Sequence, residues 1–366
     1  MLFSILAVLI FLFLFVNLLF YISIKKVFSE QTNQSSQQKI SVVIAAKNEE
    51  KNIPALIEAL NKQDYEKNLF EVIIVDDFSI DNTFTLAVEL TTKLKNFKAI
   101  KAERKNLPGK KGALTEGIRK TNFDFILITD ADCIPMTGWL KAFAGKFSEG
   151  YDFIFGVAPF QIENSLVNNL SCFENIRSNI LTFTAALVTF PYSVAARNFG
   201  FKKSSFEKVK GYSNTTETLS GDDDLLIREA VKNKMKIGII TDKDSFVFSK
   251  TKNTLSEYLK QKARHTQTSL HYLPIHKIML ALWHLTNLVF LFSPLLIFFN
   301  LIFFNLIFFS LFTIKMVTDI VVVYNLQKYF GYNFNPIKIL CLQIVYELSL
   351  IFNFINAVLG KSDWNK

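Results

Sequence analysis

The feature that most constrains this chain is its apolar ends. Residues 1–24 carry no charged side chain, and a helix of that length crosses the roughly 30 Å hydrocarbon core of a bilayer. A cleaved leader would show a basic start, a shorter apolar run and a small-residue cleavage site, and none is evident. Lys25 and Lys26 follow directly, which by the positive-inside rule puts residue 25 onward in the cytoplasm. Residues 25–39, with the polar run 29–38, read as a linker. At the other end, residues 273–366 read as a C-terminal membrane region of two or three helices. The stretch 278–314 is too long for one ordinary span and predicts two helices turning near Asn300. Residues 315–336 carry Lys315, Asp319, Lys328 and Pro336 and read as a break before a further candidate span at 337–359. Three C-terminal crossings leave the parity of the termini open, unless one helix is interfacial or re-entrant.

Half of the 366 residues are hydrophobic, enough to bury a large core and to build two domains. The formal charge of +9 suits an anionic membrane face or anionic phosphates. Many of the lysines flank apolar segments, and no motif that reads DNA or RNA accompanies them, so nucleic acid is not an expected partner. Cys133, Cys172 and Cys341 have neither disulfide-framework nor zinc-site spacing, which suits a reducing compartment.

Between the ends, residues 40–272 read as one α/β domain. The segments 40–46, 70–76, 97–102 and 123–129 are short, β-branched and apolar, and helical patterns lie near 51–62, 80–94 and 110–120. That alternation implies a mostly parallel, Rossmann-like sheet flanked by helices. Ligands of such sheets bind at the carboxyl ends of the strands, so polar residues there are the ones to weigh. Farther on come an apolar run at 152–158, a long helix at 165–187, an acidic cluster at 221–224 and a basic amphipathic helix at 254–272. A helix of the last kind often lies along a membrane surface.

Six features fall at or near those strand ends. Asp130-Ala131-Asp132 follows a buried strand, and two carboxylates two residues apart can share one Mg²⁺ or Mn²⁺ with a diphosphate. A lone D-x-D is usually a solvated turn, but its place in the sheet favours a ligand. Asp76-Asp77 ends the second strand, where Asp77 can accept hydrogen bonds from a base or ribose, while Asp81 suits a helix cap. Asn48-Glu49-Glu50 is a polar turn whose carboxylates equally suit a helix N-terminus. Gly109-Lys110-Lys111-Gly112 lacks the Walker spacing; it fits either a phosphate or a basic surface turn. Gly221-Asp222-Asp223-Asp224 suits a helix start, yet packing three carboxylates together raises at least one pKa, as at a general base or metal site. In Gln261-Lys262-Ala263-Arg264-His265, Arg264 could neutralise a leaving diphosphate, whereas His265 could be interfacial without chemistry.

Taken in order, these motifs over residues 40–270 resemble the family 2 glycosyltransferases, a group with the GT-A fold that includes polysaccharide synthases and lipid glycosyltransferases. The resemblance implies a membrane-anchored enzyme with its catalytic domain in the cytoplasm, a nucleotide-sugar donor, usually a UDP-sugar, and a divalent metal. It implies Asn48, Glu49, Asp77 and Lys110 at the nucleotide, and Asp130 and Asp132 at ribose and metal–diphosphate, with Asp132 the more direct ligand. Asp223 takes the place of the general base, or Asp222 in an alternative register, and Gln261 and Arg264 match the Q-x-x-R-W element. The family's Trp is His265 here. That departure, and the few C-terminal spans, favour transfer of one sugar to a lipid or lipid-linked glycan acceptor, and the resemblance implies inversion. Alternatives are processive polymer synthesis, transfer to a polyprenyl phosphate, and an inactive membrane scaffold.

Overall fold

The computed structural model describes residues 2–30, 36–103, 106–295 and 302–359. The helix α1 (Leu2–Val27) leads into β1 (Ile40–Ala46), α2 (Ile53–Asn61), β2 (Phe70–Asp76), α3 (Thr83–Thr91), β3 (Phe97–Lys101), α4 (Gly109–Arg119) and β4 (Phe125–Ile128). Then follow β5 (Cys133–Pro135), α5 (Trp139–Ser148), β6 (Phe153–Gly156), α6 (Leu166–Val188), β7 (Phe199–Lys202), α7 (Lys203–Lys208), α8 (Asp224–Lys232), β8 (Ile237–Ile240) and β9 (Val247–Ser249). The chain closes with α9 (Leu255–Ser269), α10 (Pro274–Phe292), α11 (Ile302–Leu326) and α12 (Pro336–Leu359).

Two compact units result. One joins residues 28–161 to 190–250, and the other joins 1–27, 162–189 and 251–366. The first is built on a seven-stranded sheet of order β3-β2-β1-β4-β7-β6-β8. β1, β2, β3 and β4 are mutually parallel, and β7 runs antiparallel to both β4 and β6. β2 is buried at every position, which is why its sequence is a continuous apolar run rather than an alternating one. α2 covers the sheet with Ile53, Leu56, Ile57 and Leu60, the i, i+3, i+4, i+7 stripe of an amphipathic helix. α4 approaches closely enough that a Cβ on Gly117 would lie 2.4 Å from Val43 Cγ1 and 2.9 Å from Val75 Cγ2. Glycine therefore sets that helix–sheet distance.

β4 is where the sheet changes direction, with Phe125 paired to Lys202 and Ile128 to Phe199. Just beyond, the short pair β5–β9 pins the chain leaving β4. Asn198, fully buried, accepts from Trp139 Nε1 at 2.9 Å and donates to the carbonyls of Val157 (2.8 Å) and Ser245 (3.1 Å). One side chain thus locks β7's entry to α5, β6 and the turn before β9.

The second unit is helical. Among the described residues, four segments are long and apolar enough to cross a membrane: Leu6–Val27, Pro274–Leu295, Phe309–Phe330 and Pro336–Asn356. Helices α6 and α9, within the 40–272 range read as one domain, belong to this unit. The expected turn at Asn300 lies outside the described residues. The charged stretch expected to interrupt the spans does not do so, because α11 continues through Lys315 and Asp319 to Leu326. Lys315 Nζ lies 2.7 Å from Asp319 Oδ2, 3.2 Å from Glu347 Oε1 and 2.6 Å from Asn287 Oδ1, and Arg177 reaches Asp319 Oδ1 at 3.3 Å. Charges that would end a span on their own are tolerated when they face one another inside a bundle.

Candidate active site

At the carboxyl ends of β1 and β2, two loops are tied together by backbone-directed bonds. Asn48, with φ of 58°, accepts from Ile80 N at 2.9 Å through Oδ1, and its own N–H donates to Ser79 Oγ at 3.0 Å. Glu49 N donates to Thr83 Oγ1 at 2.7 Å, while the Glu49 carboxylate accepts from Asn52 Nδ2 at 2.7 Å. Asp81 accepts from Thr83 N at 3.0 Å, holding the first turn of α3. Asn48 and Glu49 therefore have a structural use at this end of the sheet. Asp77 is nearly buried, its N–H bonded to Ala46 O at 2.7 Å. Asp76 beside it keeps Oδ1 buried with no partner among the described residues.

The densest chemistry lies one strand over. Asp130 and Asp132 leave β4 in a tight turn closed by Cys133 N to Asp130 O at 3.2 Å. Ligand atoms of Asp130, Asp132 and Cys133 lie within 4.8 Å of one another. Burial, reinforced by Asp130 and Asp132, pushes the Cys133 thiol well above its usual range, so the hard-ligand share of this group is the carboxylate pair, a donor set that fits Mg²⁺ or Mn²⁺.

Lys110, in the first turn of α4, sits 2.6 Å from Asp130 Oδ1 and 2.6 Å from Asp222 Oδ2. Burial alone would lower its pKa, but Asp130 and Asp222 outweigh it and hold the ammonium well above its ordinary value. Lys111 points elsewhere: it is buried and donates to the carbonyls of Thr215 and, at 3.0 Å, Thr218. Successive lysines at the start of one helix thus fix the D-x-D and the loop that delivers the acidic run.

Within that run the three carboxylates differ. Asp222 is held by Lys110. Asp223 accepts from Asp224 N at 2.8 Å and from Ala196 N at 2.9 Å. Asp224 accepts from Ser193 Oγ at 2.8 Å and Val194 N at 3.1 Å. Burial, with Asp224 and Asp222 alongside, pushes the Asp223 carboxyl well above the usual carboxylate range, although Lys110 opposes this. The remaining expected residues, Gln261, Arg264 and His265, lie on α9 in the helical unit. There Lys262 pairs with Glu174 at 2.8 Å, and Tyr258 donates to the same carboxylate at 2.8 Å.

Residues 41–209 match the family described as glycosyl transferase family 2. The chain carries a family 2 glycosyl transferase domain. Its sheet, with ligand-type residues at the strand ends, has the GT-A architecture. The probable glycosyltransferase YdaM of Bacillus subtilis is 28% identical over 203 residues, 54% of this chain and 47% of that protein. A dolichyl N-acetyl-alpha-D-glucosaminyl phosphate 3-beta-D-2,3-diacetamido-2,3-dideoxy-beta-D-glucuronosyltransferase of Methanococcus voltae is 37% identical over 102 residues, 28% of this chain and 32% of that protein. The chain thus spans about half or less of the length of these relatives. The mannosyltransferase PcManGT of Pyrobaculum calidifontis, solved with GDP-Man and Mn²⁺, shares the fold at a TM-score of 0.59. Its sequence identity is 16%, and the match covers 98% of this chain and 99% of that one.

Sequence reasoning named Lys111 and Asp224 within their runs without giving either a role of its own, and did not single out Arg197. Lys111 and Asp224 are construction residues, and Arg197 comes in on β7's approach. The acidic and basic runs signalled only that charge was present. Nothing in their spacing told which lysine faces Asp130 and which carboxylate faces Lys110.

Proposed function

We propose that the chain is an inverting glycosyltransferase, moving one sugar from a nucleotide donor, a UDP-sugar by preference, to a lipid or lipid-linked hydroxyl at the cytoplasmic membrane face. The observation that carries this reading is the ion cluster in which Lys110 joins Asp130 to Asp222, with the proton-hungry Asp223 next in the chain. Donor-side and acceptor-side carboxylates are thereby one group at the mouth of the sheet, where open α/β sheets take ligands. The name of the M. voltae relative, which includes a dolichyl-linked acceptor, and the four apolar helices support a membrane-lipid substrate.

A divalent cation held by Asp132 and Asp130 would supply positive charge to the departing diphosphate. The chain's own residues do the rest. Asp77 meets the base or ribose, and Lys110 has a second anion to answer once a diphosphate enters. Asp223 takes the proton from the acceptor hydroxyl as that oxygen attacks the anomeric carbon opposite the diphosphate, so the centre inverts. Asp223 suits the task better than Asp222, because Asp222 is already bonded to an ammonium. His265 at the position of the family's Trp favours single transfer over polymer synthesis.

A donor screen tests the reading: purified protein in detergent with Mn²⁺, a panel of nucleotide sugars and a membrane lipid extract, with products read by mass spectrometry. One sugar added to a lipid is the expected product. A polymer ladder would point to processive synthesis, and nucleotide sugars left intact under every condition would sink the proposal.

A further inference from the structure

Arg197 is a cation at the site that neither the motifs nor the ion cluster uses. The β4–β7 register ends on the pair Ile128 and Phe199; two residues beyond that pair, where the chain leaves β4 and enters β7, are Asp130 and Arg197. Ala196, the chain neighbour of Arg197, donates its N–H to Asp223 Oδ2 at 2.9 Å. Arg197 thus adjoins the backbone that leads to the D-x-D on one side and holds the acidic run on the other, within the unit that contains both.

The guanidinium is held in place rather than waving. Arg197 NH2 donates to Ala158 O at 2.6 Å, and the group lies 4.5 Å from the centre of the Phe160 ring. Behind it, Asn198 is locked by its three bonds. Yet Nε–H is buried with no acceptor, and no carboxylate among the described residues forms an ion pair with this arginine. A buried guanidinium N–H without a partner is costly. In a domain that gathers Asp130, Asp132, Asp222, Asp223 and Asp224, an arginine that forms an ion pair with none of them keeps its charge for an anion of another kind.

We propose that Arg197 is a donor-binding residue whose guanidinium takes an anionic oxygen of the nucleotide sugar. Two groups on such a donor offer that chemistry: the β-phosphate, and a carboxylate on an acidic sugar. This rests on the glycosyltransferase reading, and the planar fork of arginine suits either group.

Calorimetry on the full chain in detergent with Mn²⁺ separates them, comparing wild type with Arg197→Gln. One arm is UDP against UMP; the other is UDP-glucuronic acid against UDP-glucose, with guanosine analogues if the wild type prefers that base. If the β-phosphate is the ligand, the UDP preference over UMP falls about tenfold or more in the variant. If the carboxylate is the ligand, only the preference for UDP-glucuronic acid falls. Unchanged ratios in both arms overturn the inference, even if every affinity drops together, because a residue that merely balances carboxylates would weaken all ligands alike. Wild type that binds no nucleotide at all removes the glycosyltransferase reading itself, a different failure. Arg197→Lys, which keeps the charge and loses the fork, is read by the same ratios should the glutamine variant not fold, and is expected to recover part of the preference.

Discussion

Two of the charge clusters in this chain are built differently. In the helical unit, Lys315 and Asp319 are 0% exposed and Glu347 1%, with Arg177 at 4%. Two cations face two carboxylates, so the group is neutral. At the mouth of the sheet, Lys110, Asp130 and Asp222 keep 31%, 33% and 13% of their side-chain surface, and carboxylates outnumber the cations that answer them. A sealed network of balanced charge pairs its own members and ties helices together. A half-open, acid-rich one keeps excess negative charge within reach of water, which on the proposed function a cation would answer.

That contrast predicts opposite responses to mutation. Asp223→Asn should lower transfer by about 10²–10⁴-fold, the usual share of a general base, with donor affinity retained. It should also melt no lower than wild type. The raised Asp223 carboxyl favours folding only below the ordinary carboxylate range and loses that contribution as pH rises through its folded value, so at neutral pH its ionisation is a cost that asparagine removes. Normal transfer by the variant's membranes would show that Asp223 is not the base.

Lys315→Met should do the reverse, destabilising the protein by about 3–5 kcal/mol because it strands Asp319 and Glu347 in the interior. Adding Glu347→Gln should recover part of the loss. A melting curve in detergent that does not move for Lys315→Met would end the distinction between the two clusters.

Asp132→Ala should weaken Mn²⁺-dependent nucleotide binding by about 10–100-fold without lowering the melting temperature much. Unchanged Mn²⁺-dependent affinity by calorimetry would remove Asp132 from the metal site. The smallest effect concerns pH. The acid limb of kcat at saturating donor should lie above the ordinary carboxylate range, since Asp223 must ionise to accept a proton. Lys110 lowers that pKa, so Lys110→Met should move the limb to higher pH. A limb that stays put, or moves down, would mean that the cluster does not govern the base.

Much of the fold was legible. Runs such as 40–46 and 70–76 are β-branched and apolar throughout, a pattern that suits a strand buried on both faces, and β1 and β2 occupy those bounds. The long helix expected at 165–187 is α6. Reading failed where charge and apolarity conflict. Lys315 and Asp319 suggested an interruption because hydropathy counts residues one at a time, and their compensation comes from Glu347 and Arg177, distant in sequence.

By itself the sequence determined the layout, with apolar ends around an α/β middle, and where residues able to carry chemistry fall along the chain, because burial period and residue type are local properties. Tertiary structure alone decided which charges meet. Lys110 and Lys111 are neighbours on one helix, yet one bridges Asp130 to Asp222 while the other secures the Thr215–Thr218 loop. The antiparallel return of β7 sets the turn that carries Arg197 beside the end of β4 from which the D-x-D departs. Electrostatic partnership depends on a few ångströms of separation and on exclusion of water, and neither is written in the spacing of residues along a chain.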